Sequence, residues 1–454
     1  MQPILKPGPR WRGARGLWLA WLLLLLPWHA HAVPSFARQT GQPCAACHVG
    51  GFGPQLTSFG RQFKLLGYTL KTTEGPNAPL SAMLVESFTH TRKAQSDPPA
   101  DGFSRNNNTE LQQASVFLAG RLSEHLGTFA QATYSENGKT LGWDNIDLRY
   151  ARTFAAGGHS GIWGISLNNN PTVSDVFNSA PAWLYPYMAA DLAPSSPAQP
   201  VLFGALGGQV VGATAYVQLG GALYAEAGGY RSLSPAFLRK VNADYDGRLG
   251  GITPYARLAY SWNLAAGSLT VGGFALDVKR GLAGQNAAGD AIALPGPEDR
   301  FHDLGLDGNY LWTGGDRTVT IDALYVHERQ RLDATYATGD AERLHGTLDA
   351  LHLNGSYWYG DHWGATLGLF ADDGSRDAVL YAPTGKPDTR GESLELDWNP
   401  FGQADSWLEP WVNLRVGAQY THYDRFAGSV RNIDAAGRRA ADNDTMFLYA
   451  WLAI

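Results

Sequence analysis

The sequence predicts an all-β fold: an outer-membrane antiparallel β-barrel of about sixteen strands, with a small helical N-terminal segment acting as its plug. Three observations carry that expectation. An export-signal pattern opens the chain, a period-two alternation of apolar and polar residues recurs through residues 80–454, and short connections alternate with long ones.

The first element is the export signal. A basic stretch (Lys6, Arg10, Arg12, Arg15) precedes the apolar run "GLWLAWLLLLLPW", and the small residues of "AHA" end at Ala32. The run falls short of the roughly 20 residues that a spanning helix needs. The pattern is that of a secretory signal peptide over residues 1–32, cleaved after Ala32. It has no adjacent arginine pair, so the general secretory route is expected, and the mature chain begins near Val33 outside the cytoplasm.

The second element is "QPCAACH", residues 42–48, which holds the two cysteines of a 454-residue chain, Cys44 and Cys47, with His48 next to the second. Two cysteines in an oxidising compartment can form a disulfide. A Cys-x-x-Cys ring closes a very short loop, however, and stabilises little of a chain this long. A structural zinc site needs about four ligands, and there is no third cysteine to extend a thiolate set. A thioredoxin-like motif requires a βαβ setting that the flanking sequence does not have. Covalent haem attachment accounts for all three residues together, with thioethers from Cys44 and Cys47 and His48 as proximal iron ligand.

The third element is the helix predicted within "PQLTSFGRQFKLLGY", which follows the motif. Thr57 or Ser58 can cap it, Leu56, Phe59, Phe63 and Leu66 recur at helical spacing, and Gly67 supplies a stop. That stripe either covers one porphyrin face or packs on another surface. Arg61 and Lys64 are candidate partners of the haem propionates, or else part of a solvated basic face. Residues 33–79 form the expected monohaem cytochrome c segment. The stretch from Val33 to about Thr72 is too short for a self-sufficient core, even with a covalent cofactor as staple, and needs something larger to lean on.

Residues 80–454 read as that support. They contain no second long apolar run, and the mean hydropathy of the chain is −0.22, which excludes a helical membrane bundle. "SVFLAGRL" (115–122) sets Val116, Leu118, Gly120 and Leu122 against Ser115 and Arg121. "ESLELDWN" (392–399) sets Leu394, Leu396 and Trp398 against Ser393, Glu395, Asp397 and Asn399. "WVNLRVGAQYTHY" (411–423) alternates in the same way, with Asn413, Arg415, Gln419 and Thr421 on its polar face. One face meets an apolar medium and the other a polar one.

The connections point to a membrane barrel rather than a secreted sandwich. "SEHLG", "AAGGHSG", "QLGGA", "LAAGS", "TGGDR", "YGDH" and "GQADS" are short, whereas 91–108, 171–206, 231–252, 280–300, 330–345, 373–390 and 424–443 are long, with one short exception around Gly138. Short periplasmic turns opposite long outer loops are the outer-membrane pattern. An even strand count places both termini on the periplasmic side. Fifteen tryptophans and twenty tyrosines, among them Trp143, Trp312, Tyr359, Trp363 and Trp407, suit interfacial girdles. The closing "DTMFLYAWLAI" reads as a final strand that seals against the first, although it ends in Ile454 rather than an aromatic residue. The inward charges Arg121, Asp147, Arg149, Arg257, Asp397 and Arg415 fit a polar lumen, and the Pro-rich, aromatic loop 171–206 is expected to fold inward.

With "FARQTG" (36–41), "CAACH" (44–48) and "LTSFGRQFKLLGY" (56–68) followed directly by a barrel, the chain resembles the fused monohaem c-type cytochrome–porins of the outer-membrane iron-oxidation type. The motif match spans residues 36–68; beyond it the resemblance is architectural. It implies one covalent haem c, oxidation of extracellular Fe(II) one electron at a time, and delivery to a periplasmic c-type cytochrome or other soluble carrier. Cys44, Cys47 and His48 are the residues it transfers.

The distal ligand stays open at this stage. The mature methionines are Met83, Met188 and Met446, and Met446 alternates with lipid-facing Leu448 and Leu452. Met83, on the first strand with Ser87 and Thr89, is the candidate; a thioether would raise the potential. His90, His352, His362 and a five-coordinate iron are the alternatives. The net charge is −6, and Asp97, Asp101, Asp175, Asp191, Asp244, Asp246, Asp372 and Asp373 either gather Fe²⁺ at the outer surface or are ordinary solvated carboxylates. No nucleic-acid partner is expected. The functional expectation is an outer-membrane electron conduit, an oxidoreductase-like cytochrome. The alternatives are a different external donor, a solute porin with a redox-active haem plug, and a haem peroxidase.

Overall fold

In the computed structural model, residues 34–73 and 78–454 are described; the expected signal peptide, 1–32, lies outside them. The strands run Leu80–Thr91 (β1), Asn108–Arg121 (β2), Leu126–Ser135 (β3), Thr140–Ala156 (β4), His159–Asn168 (β5) and Val210–Leu219 (β6). They continue as Leu223–Ser232 (β7), Thr253–Leu264 (β8), Gly267–Arg280 (β9), a small outer hairpin of Ala283–Gln285 (β10) and Ala291–Ala293 (β11), then Asp299–Gly314 (β12). The last are Arg317–Arg331 (β13), His345–Tyr359 (β14), Trp363–Gly374 (β15), Thr389–Trp398 (β16), Asn413–Arg425 (β17) and Thr445–Ala453 (β18). All except the hairpin join one closed antiparallel barrel of sixteen strands, sealed where Met83 of β1 faces Ala453 of β18.

The alternation in the sequence becomes the two faces of this wall. Leu394 and Leu396 are 50% and 55% exposed, while Glu395 between them is 1% exposed. Exposed leucines, valines and isoleucines recur on the outside, and Trp262, Tyr357, Tyr359, Trp363 and Trp398 gather toward the end of the short turns, with Trp363 stacked on Trp398. An apolar band bounded by aromatics is a lipid-facing surface. The protein is an outer-membrane barrel of a Gram-negative bacterium. Trp143 departs from the girdle expectation: its indole donates to the Gly208 carbonyl at 2.9 Å and packs on Phe237.

Most connections follow the expected alternation, including the short exception between Ser135 and Thr140. The "GQADS" turn is longer than expected. It belongs to a connection running from 399 to 412, which reaches the N-terminal segment, where the Glu409 Oε1 accepts from the Cys44 backbone N–H at 3.2 Å.

Two segments occupy the lumen. The first holds helices Pro34–Thr40 (α1), Cys44–Cys47 (α2) and Ser58–Leu65 (α3). Polar residues on the wall seize its main chain. Asn413 and Arg415 donate to the carbonyls of Gly51 and Phe52 at 2.7 and 2.8 Å, Tyr216 to that of Leu65 at 2.6 Å, and Arg149 to that of Lys64 at 3.3 Å. Gly50 sits at φ +67°, where any Cβ would strike the Trp358 ring. Glycine is the residue that suits both the left-handed backbone and the close approach.

The second is the loop 169–209, which folds inward as expected and buries Val173, Val176, Ala180, Leu192 and Leu202. Carboxylates hold it. Asp175 accepts from the N–H groups of Phe177, Ser179 and Ala180 and pairs with Arg257 at 3.3 Å, and Arg257 also meets Asp307 at 2.7 Å. Glu328 and Asp303 accept from the N–H groups of Val201 and Leu202. Asp175 is therefore no surface cation collector. Likewise Asp372 faces His352 at 3.3 Å, and Asp373 pairs with Arg390 at 2.8 Å.

Leu394→Arg should cost roughly 2–4 kcal/mol, the penalty for a charge on the lipid face near mid-membrane. Reversible urea unfolding in lipid vesicles, followed by tryptophan fluorescence, checks this, and Val430→Arg in an outer loop should leave the midpoint unchanged. Asp175→Ala should cost about 3–5 kcal/mol, because it strands three buried backbone donors and takes from buried Arg257 one of its two carboxylates, leaving Asp307. It should also open residues 169–209 to thermolysin in the intact protein.

Candidate cofactor site

The CAAC turn and the helix after it are built as one unit. The N–H of His48 donates to the Cys44 carbonyl at 2.9 Å, placing His48 as the C-cap of α2. Thr57, one of the two expected caps, accepts from the Gly60 N–H, donates its hydroxyl to the Ala46 carbonyl and donates its own N–H to the Cys47 carbonyl at 2.9 Å. A Cβ on Gly60 would collide with that same Cys47 carbonyl, so glycine lets α3 press directly onto the motif. Cys44 and Cys47 stand three residues apart, the spacing that puts side chains on one face of a helical turn.

Cys44, Cys47 and His48 all line a single cavity of about 470 Å³ inside the barrel. Its walls come from three sources. The N-terminal segment supplies Phe36, Leu56, Phe63, Lys64 and Tyr68. One continuous arc of the wall, β17, β18, β1, β2 and β3, supplies Asn413, Trp451, Met83, Phe117 and Phe129, while the inward loop contributes residues 181–184 and 186–188. Phe36 anchors the aromatic cluster, edge-on to Phe63 at 4.9 Å and stacked on Tyr68 at 5.4 Å between ring centres.

Burial sets the chemistry of the site. It pushes the Cys47 thiol up to about 12 and the Cys44 thiol well above its ordinary range, where Glu409 adds to the effect. Both sulfurs are therefore held as thiols rather than thiolates. Burial lowers His48 to about 4, helped by the Arg415 charge, so its imidazole is neutral. The carbonyls of Gly53 and Gln55 face the ring, yet no hydrogen bond closes on the buried Nδ1. Burial and then Arg149 bring Lys64 down to about 7. Its Nζ donates to Asn178 at 2.8 Å and lies 4.1 Å above the Trp183 ring.

The sequence-derived candidates thus separate. Cys44, Cys47, His48, Lys64 and Met83 share the cavity. Arg61 does not line it: its guanidinium reaches Ser268, Thr270 and Asn309 on the far wall. It sits three residues from Lys64, close to one helical turn, yet a different part of the wall receives it. Of the apolar stripe, Leu56 and Phe63 face the cavity, Leu66 packs with Ala151 and Tyr224, and Phe59 is exposed. His90 bonds Asn107, His352 faces Asp372 and His362 lies edge-on to Trp363, and none of the three lines the cavity. Sequence reasoning did not place Phe36, Tyr68, Phe117, Phe129 or Met188 here. The signal for Met188 was present in the aromatic run "APAWLYPYM" that precedes and includes it.

No protein-family model matches the chain. No curated protein matches it in sequence. Among solved structures, it is similar to OmpF of Salmonella typhi in complex with daunomycin, at 11% identity and a TM-score of 0.46 over 84% of this chain and 100% of that one. It is also similar to a loop-deletion mutant of OmpT of Vibrio cholerae, at 13% identity and a TM-score of 0.45 over 83% and 98% of the two chains. A third is the anion-selective porin of Comamonas acidovorans, at 11% identity and a TM-score of 0.45 over 82% and 98%.

Proposed function

We propose that the chain holds one covalent haem c in its lumen cavity and passes electrons from an extracellular donor, Fe(II), to a soluble periplasmic carrier such as a c-type cytochrome. One observation carries the reading: Cys44, Cys47 and His48 of CAACH converge on a single aromatic-lined cavity inside the barrel. A volume of about 470 Å³ suits a cofactor, since such sites run from about 300 to 1,000 Å³ with mostly apolar walls.

The His48 ring supplies a second line of support. A buried ring nitrogen without a partner is costly in a bare protein. Committing one nitrogen to iron fixes the proton on the other, which the carbonyls of Gly53 and Gln55 are there to accept. A bound haem c supplies reversible one-electron chemistry, tuned by axial ligation, burial and hydrogen bonding. The protein's own contribution is positional. Cys44 and Cys47 would tether the group, Phe36, Phe63, Phe117 and Trp451 would keep water from it, and Lys64, lowered to about 7 in the bare protein, would be held protonated by an anionic edge beside it.

A solute porin with a redox-active plug is the second reading, and the porin-type barrel of sixteen strands favours it. Against free passage stand the two segments bound across the lumen, whose anchors engage β2, β4, β6, β8, β12, β13 and β17. Mixing the oxidised, detergent-solubilised protein with Fe²⁺ in a stopped-flow instrument separates the readings. Prompt reduction of the haem band, with little sugar flux through reconstituted liposomes, supports the conduit. Absent reduction with rapid flux favours the porin, and turnover of peroxide favours a peroxidase.

Cys47→Ala should weaken or abolish haem staining in a denaturing gel while the barrel still inserts. Undiminished staining would contradict the attachment assignment.

A further inference from the structure

The cavity wall carries more groups able to bind iron than the motif supplies, and most are already engaged. The Tyr68 hydroxyl donates to Asp147 at 2.7 Å, Lys64 is bonded to Asn178, and Asp144 accepts from Thr133 at 3.0 Å. Tyr187 is engaged with Asn354. The two thioethers of the wall, Met83 and Met188, are buried in one apolar cluster, and of their sulfurs that of Met188 meets a long amide contact rather than a strong hydrogen bond.

Resting on the haem reading above, we infer that Met188, delivered by the inward loop, is the sixth ligand of the haem iron, and that Gln112 positions it. The loop lies along the cavity as a continuous stretch, with Trp183, Leu184, Pro186 and Tyr187 lining it ahead of Met188. The wall clamps its end from two sides. Gln112 Nε2 donates to the Ala189 carbonyl at 2.6 Å and reaches the Met188 sulfur at 3.7 Å, and Gln419 Nε2 donates to the Met188 carbonyl at 3.4 Å.

Gln112 is itself placed by a break in the ladder. Val85 faces Gln113 and Glu86 faces Leu111, so Gln112 is the extra residue of a β-bulge. Bulges re-aim side chains beside functional sites, and this one turns a buried amide onto the loop. A thioether sulfur has two lone pairs; an amide donor on one orients the other toward the cavity. Met83 has no comparable device. It belongs to the wall between Ser115 and Ala453, packed among Val85, Phe117 and Ala119. Ligation by Met188 would tie the loop to the N-terminal segment across the cavity, and a thioether opposite histidine raises the potential.

The test uses purified, full-length holoprotein and four variants: Met188→Leu, Met83→Leu, Met188→His and Gln112→Leu. Three properties are read from each: covalent haem staining, the weak far-red band of thioether-ligated ferric haem, and the midpoint potential. Met188→Leu keeps the volume and should keep the stain, lose the band and lower the potential. Met188→His should recover a six-coordinate spectrum without the band, and Gln112→Leu should shift band and potential with the stain intact. Met83→Leu should leave all three as in the wild type. Survival of the band in Met188→Leu, or its loss in Met83→Leu, overturns the inference. A wild-type protein that stains for haem but lacks the band overturns the inference alone, whereas one without covalent haem overturns the haem reading beneath it.

Discussion

The structure depends on how a wide lumen is filled. A closed wall of sixteen strands turns one residue in two inward, and its own side chains do not fill the space. Here the inward residues include Asp147, Arg149, Arg257, Asp307, Asp397 and Arg415, all buried. Charges removed from water must be paired and bonded or they destabilise strongly. The wall meets that demand with pairs such as Arg149–Asp147 at 2.6 Å, and then with the carbonyls and N–H groups of the two segments inside it. Arg149 alone bonds the main chain of both, at Lys64 and Ser174.

That arrangement also makes the cavity. The N-terminal segment leans on β6 and β17 through Leu65, Gly51 and Phe52, the loop hangs from Asp175, Glu328 and Gln112, and the space between them is bounded by aromatic residues of β2, β3 and β18. A segment too short to bury its own core borrows the wall as its core. The CAACH turn is consequently held at one place in a water-poor interior, the setting in which burial and hydrogen bonding tune an electron carrier.

Much of this was legible in the sequence. Period-two alternation gave the faces of β2, β16 and β17 residue by residue, because lipid and lumen impose opposite polarity on neighbours. The short and long connections gave the barrel. A helix cap at Thr57 or Ser58 followed from local chemistry, and Thr57 fills it. What escaped was set by contacts distant along the chain. Arg61 and Lys64 share a helix and a charge, yet nothing local says that one meets Asn309 on the far wall and the other Asn178 beside the cavity. Asp175 reads as a loop carboxylate until the loop folds inward onto Arg257. Met188 and Gln112 are 76 positions apart, and a bulge that the apolar pattern does not encode brings them together.

Electron transfer through this barrel requires that the CAACH turn carry a porphyrin in the cavity. The most direct measurement is mass spectrometry of the tryptic peptide 39–61 from protein purified out of its own outer membrane. This peptide should carry the added mass of one haem, with both sulfurs, Cys44 and Cys47, blocked to alkylation. A peptide of unmodified mass, its cysteines joined as a disulfide or free to alkylate, would contradict it.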